Sequence, residues 1–141
     1  MTENEAQPKS GAFRWNAGGW SGAQIGATAW IALLGILLLF DAPLLGVLVL
    51  ALATVPNVIG IILWRMRDRV GPHAAVQILA AVSGAFAFLA FVSLDAAGRI
   101  SVLRGGAGRR VYWVLLVYPA AMLVFYLRDR AAGRRRGADN P

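Results

Sequence analysis

The stretch PLLGVLVLALATVPNVIGIILW, residues 43–64, decides the fold. Its 22 positions hold no charged residue, and it is bounded by Asp41 on one side and by Arg65-Met66-Arg67 on the other. At about 1.5 Å per residue, about 20 helical residues cross the roughly 30 Å hydrocarbon core of a bilayer. The stretch therefore reads as a transmembrane helix. Pro43 opens it, where a missing N–H costs nothing. Pro56 lies inside it. Neighbouring helices can satisfy the carbonyl that a mid-span proline frees, so a kink is expected there rather than a stop.

Three further apolar blocks flank this one, at residues 20–40, 74–94 and 111–127. Asp41-Ala42-Pro43 makes a tight tip between the first two spans, and Arg65 to His73 a short basic loop after the second. Asp95 to Arg110 is the longest connection and is rich in glycine. The fourth block has 17 residues, the short end of the spanning range, and its flanking arginines can snorkel outward. The expected fold is all-α: an integral membrane four-helix bundle made of two helical hairpins. Residues 1–19 form an N-terminal segment with interfacial aromatics, Phe13, Trp15 and Trp20. Residues 128–141 form a basic tail expected to be disordered.

Composition agrees. The 141 residues are 58% hydrophobic and only 15% charged, against about 25% charged in soluble domains. The net charge is +7, with Lys9 the single lysine among 14 cations. A basic balance in a soluble chain points to nucleic acid. Here the arginines border apolar blocks, which is how membrane topology is encoded, so no nucleic acid is expected. The N-terminus, the second loop and the tail carry ten Lys and Arg against four on the opposite side. Both termini are therefore expected in the cytoplasm of a cell inner membrane. The arginine bias, with abundant alanine and glycine, points to a GC-rich bacterial genome. The first helix starts too late for a secretory signal and reads as a retained anchor.

The two halves share punctuation. Asp41-Ala42 and Asp95-Ala96 end the first helix of each pair, and Pro56 and Pro119 each precede an Arg-x-Arg by nine residues. That is the pattern of a duplicated hairpin, or simply of any two hairpins with polar tips and basic ends.

Several patterns bear on function. Gly18, Gly22 and Gly26 repeat every four residues, which stacks them on one helix face. Ala80 and Gly84 make a similar stripe on the third span. Small residues let helices approach closely, so these stripes predict packing of spans one and three, within the chain or across a dimer. Thr54, Asn57, Gln77 and Tyr118 are polar groups inside spans and could form a pocket near the second-span proline; the alternative is plain interhelical hydrogen bonding. Arg104-Gly105-Gly106-Ala107-Gly108-Arg109-Arg110 places flexible backbone between guanidiniums. Arg104, Arg109 and Arg110 are candidate lipid-headgroup contacts, or a solvated loop.

Absences restrict the function classes. No Asp, Glu, Lys, Arg or His falls well inside a span, which argues against proton-coupled transport. The small multidrug-resistance transporters also have four spans but need a glutamate in the first; Gln24 and Thr28 stand there instead. Asn57 with Gly60, and Phe86, Phe88 and Phe91 with Ser83 and Ser93, resemble about a dozen positions of the small fluoride channels. The charge asymmetry and the unreadable third-helix break depart from that family, and the chain is not assigned to it.

There is no cysteine, and the lone His73 cannot supply a bis-histidine haem. No catalytic constellation, cofactor site or metal site is expected. Paired carboxylates are conceivable only as Asp41 with Asp95. The expectation is a non-enzymatic accessory or structural membrane protein. Its partners are anionic lipids on the cytoplasmic face, and further copies or a larger membrane complex. The alternative is a small uncoupled transporter, channel or lipid-handling protein with a polar path near Pro56.

Overall fold

A computed structural model describes residues 15–100 and 108–138, with side chains over 15–100 and 112–132. All regular structure among them is helical. Four α-helices run α1 Ala17–Leu39, α2 Pro43–Arg65, α3 Pro72–Ala96 and α4 Val117–Ala138. A 3₁₀ helix, Gly108–Leu116, leads into α4. Segments Ala17–Leu39, Pro43–Arg65, Pro72–Ala96 and Tyr112–Ala132 are each long and apolar enough to cross a membrane. The chain is thus a multi-pass membrane protein with a four-helix bundle.

Local chemistry sets the ends. Asn16 Oδ1 accepts from the N–H groups of Gly18 at 2.9 Å and Gly19 at 3.2 Å. This N-cap starts α1 at Ala17, before the expected position at Trp20. At the first tip, the N–H of Ala42 reaches the Leu38 carbonyl at 2.7 Å, and Pro43 then begins α2. Past the end of α3, Gly98 takes φ +67°, a conformation that costs glycine least, while its N–H bonds the Asp95 carbonyl at 2.9 Å.

Two expectations change here. The basic tail does not begin as coil at Arg128: α4 continues through Arg128, Asp129 and Arg130 to Ala138. Arginine and alanine are good helix formers, and His73 on α3 lies 3.8 Å from Asp129. The two prolines also differ in setting. Pro56 is buried in the middle of an unbroken α2. Pro119 falls in the first turn of α4, just after the 3₁₀ segment, where a proline is well tolerated.

The bundle has an apolar exterior. Phe40, Leu44, Leu33, Ile25 and Leu37 are more than half exposed, and so are Trp113, Val117 and Leu123. In water such a surface would drive aggregation; in hydrocarbon it is the solvent-facing side. The interior falls into two apolar clusters. One gathers Ile31, Leu38, Val49, Ala53, Ala87, Phe91 and Leu94 toward the Asp41 end. The other gathers Trp20, Leu63, Ala75 and Leu79 toward the Arg65 end. Trp20, read as an interfacial aromatic, packs within the bundle near the Arg65 end and is 7% exposed.

Helices α1 and α2 form the tightest pair, and glycine is the reason. A Cβ on Gly46 would lie 2.7 Å from the Leu39 backbone nitrogen and 2.9 Å from the Gly35 carbonyl oxygen. One on Gly35 would lie 2.8 Å from Leu50. These positions permit a crossing that any side chain would block. The helices then follow in an arc: α2 packs on α3, and α3 on α4 and more lightly on α1. Backbones of α1 and α4 do not meet among the described residues.

Candidate functional site

Between the two apolar clusters lies a polar layer joining α1 to α2. Gln24 Nε2 donates to the Asn57 carbonyl at 2.7 Å. Asn57 Nδ2 donates to Thr28 Oγ1 at 2.9 Å and to the Ala53 carbonyl at 2.9 Å. Thr28 Oγ1 in turn donates to the Gln24 carbonyl at 3.0 Å. Gly60 makes room for this layer, since a Cβ there would sit 2.7 Å from Gln24 Cδ. Its carbonyl accepts from Trp20 Nε1 at 3.1 Å. The donors in this layer face acceptors of the same chain, which is what low-dielectric surroundings demand of polar groups.

The Tyr118 side chain bridges the seam between α1 and α4. Tyr118 Oη donates to the Ala27 carbonyl at 2.6 Å and accepts from Trp30 Nε1 at 3.1 Å. Tyr118 packs closely on Gly84, whose added Cβ would be 3.1 Å from the tyrosine Cβ. On the α3–α4 side, Gln77 Nε2 donates to the Met122 carbonyl at 3.0 Å.

Around Tyr118 the seam opens into a groove of about 390 Å³. Its walls are Ala23, Gly26, Ala27 and Trp30 of α1 and Val117, Ala121 and Phe125 of α4. Leu79 and Ala80 of α3 form the floor. Leu79 and Tyr118 are buried, whereas the rim residues Ala23, Gly26 and Val117 are exposed, so the groove faces sideways into the surroundings of the bundle. Its lining is apolar. The polar atoms of Trp30 and Tyr118 are turned to each other and to the Ala27 carbonyl.

At the Asp41 end, Arg99 Nη1 pairs with Asp41 Oδ2 at 2.9 Å, and Tyr112 Oη donates to Asp95 Oδ2 at 3.0 Å. Asp41 and Asp95, the conceivable carboxylate pair, thus each have a different partner. At the other end, the Trp15 ring lies tilted 5.0 Å from Trp20 and edge-on 5.5 Å from Trp64, and the Arg67 guanidinium lies 5.3 Å over Trp64.

The four polar residues expected to share a pocket are placed apart. Asn57 joins the α1–α2 layer, Tyr118 bridges the α1–α4 seam, and Gln77 ties α3 to α4. Thr54 is exposed and bonds only its own helix, to the Leu50 carbonyl at 2.8 Å. Of the small-residue positions, Ala80 and Gly26 line the groove and Gly84 supports Tyr118. Added Cβ atoms on Gly22 or Gly26 would meet nothing within 4 Å, and one on Gly18 would lie 3.5 Å from the capping Asn16 Oδ1. That stripe is therefore an open face within the chain. Arg104 lies outside the described residues, as do the side chains of Arg109 and Arg110. Sequence reading missed Trp30, Ala121 and Phe125. A mid-span tryptophan was the available signal, because its N–H needs a partner in hydrocarbon.

No protein-family model, curated protein or solved structure matches the chain.

Proposed function

We propose that the protein is a non-enzymatic accessory or structural component of a bacterial inner membrane, with both termini in the cytoplasm. The observation that carries this reading is the use of polar groups within the spans. Gln24, Thr28, Asn57, Gln77 and Tyr118 bond groups of the same chain. A solute path needs polar groups turned toward a wet cavity. The groove between α1, α3 and α4 is apolar instead. The open face of Gly18 and Gly22 supports association with another membrane helix, from a further copy or from a larger complex. The ten-to-four distribution of Lys and Arg supports the orientation.

Two measurements test this. Vesicles reconstituted with the protein are expected to pass protons, potassium and fluoride no faster than empty vesicles. The chain has no native cysteine, so Gly22→Cys gives a single reporter. It is expected to form disulfide cross-links in native membranes, where Thr54→Cys does not. Solute flux that Asn57→Leu abolishes, with folding kept, would overturn the reading. A second reading, lipid handling, is favoured by the sideways-facing apolar groove.

A further inference from the structure

The groove between α1, α3 and α4 opens sideways from the bundle and is lined by apolar groups. The groove holds about 390 Å³. Its walls are kept low by small residues on all three helices: Ala23, Gly26 and Ala27 on α1, Ala80 on α3 and Ala121 on α4. A slender, flexible, wholly apolar occupant fits that shape.

Charge identifies what such an occupant is attached to. The groove-lining positions are Val114 on the 3₁₀ segment and Val117, Tyr118, Ala121 and Phe125 on α4. The same helical face continues to Arg128, three residues beyond Phe125. Arg128 is exposed at the Arg65 end of the bundle. Of its charged neighbours, Asp129 faces His73 at 3.8 Å, and Arg130 Nη1 reaches Tyr126 Oη at 3.5 Å. Arg65, Arg67 and Arg69 are exposed at the same end. A guanidinium there can pair with a phosphate while the attached chain enters the groove.

We propose that the groove between α1, α3 and α4 holds an acyl chain of an anionic membrane phospholipid whose phosphate pairs with Arg128. The inference goes beyond the accessory reading and is separable from it, since lipid retention is read by mass and is indifferent to solute flux. Tyr118 and Trp30 have their polar atoms turned to each other and to Ala27, so they offer the chain only ring faces. The exposed rims let a lipid enter from the bilayer without unfolding the bundle.

Native mass spectrometry of the full chain tests this, after release from nanodiscs of equimolar phosphatidylglycerol and phosphatidylcholine with identical acyl chains. The wild type is expected to retain one phosphatidylglycerol per chain. Ala121→Phe fills the groove and should lower retention at least tenfold. Gly26→Leu should do the same, and it keeps the test valid if Ala121→Phe does not fold, because a Cβ on Gly26 meets nothing within 4 Å. Arg128→Gln should retain a lipid but lose the preference for phosphatidylglycerol. A wild type without retained lipid overturns the proposal. So does retention unchanged in both groove variants, a preference unchanged in Arg128→Gln, or a second protein chain in place of the lipid mass.

Discussion

Tyr118 of α4 donates a 2.6 Å hydrogen bond to the backbone carbonyl of Ala27 on α1, 91 residues earlier in the chain. It links two helices whose backbones do not otherwise meet among the described residues. The same hydroxyl accepts from Trp30, so one oxygen satisfies a partly buried indole and closes the arc of the bundle.

Tyr118→Phe should therefore loosen α4 from α1 with the ring packing on Gly84 intact. Interhelical hydrogen bonds in membranes average about 0.6 kcal/mol, and two partners are lost here, so roughly 1 kcal/mol is expected. Thermal unfolding in detergent measures the loss, and faster quenching of Trp30 fluorescence by an apolar quencher reports the opened seam. An unchanged melting temperature would show that the bridge contributes nothing.

Glycines of the same residue type should respond oppositely. Gly46→Ala drives a methyl to 2.7 Å from the Leu39 backbone nitrogen, and neither side is a flexible side chain. Overpacking of this kind costs about 1–3 kcal/mol. Gly22→Ala meets open space and should leave the monomer's unfolding midpoint unchanged or raised. Equal effects of the two substitutions would contradict the packing of α1 on α2.

Asn57→Leu and Thr54→Val remove polar groups three residues apart. Asn57 holds Thr28 across the helix pair, and its loss should lower steady-state abundance and stability by about 0.5–2 kcal/mol. Thr54 bonds only within α2, so Thr54→Val should be near neutral. Quantified membrane abundance of the two variants separates them.

The Asp41–Arg99 pair should behave as a surface ion pair, since the Asp41 side chain is 74% exposed. A double-mutant cycle with Asp41→Asn and Arg99→Gln is expected to give a coupling below about 1 kcal/mol. That coupling should fade as salt is raised. A coupling that survives molar salt would mean the pair is shielded by lipid or by another chain.

The spans were legible in the sequence because a bilayer imposes a length and forbids charge, and both constraints are local. Residues 43–64 needed nothing beyond their own composition. Helix ends were less so: Asn16 caps α1 through its side chain, and a single asparagine in a polar lead-in carries little signal alone. The site was hardest to see. Gly18, Gly22 and Gly26 keep a regular four-residue spacing, yet the close crossing uses Gly35 and Gly46, which have no shared spacing because they lie on opposite arms of a hairpin. Asn57, Gln77 and Tyr118 were identifiable as intramembrane polar groups. Which partner each one finds depends on helix rotation, and nothing in the linear pattern encodes that angle.

The distribution of these bonds has a consequence for the order of assembly in time. The α1–α2 pair carries its own crossing glycines and its own polar layer of Gln24, Thr28 and Asn57. It can close as soon as α2 leaves the ribosome and enters the bilayer, before the second half of the chain has been synthesised. Helix α4 is tied to α1 by the Tyr118 hydroxyl, which bonds both Ala27 and Trp30. It is also the last helix synthesised, so the nascent bundle closes its arc when Tyr118 meets Ala27 and Trp30.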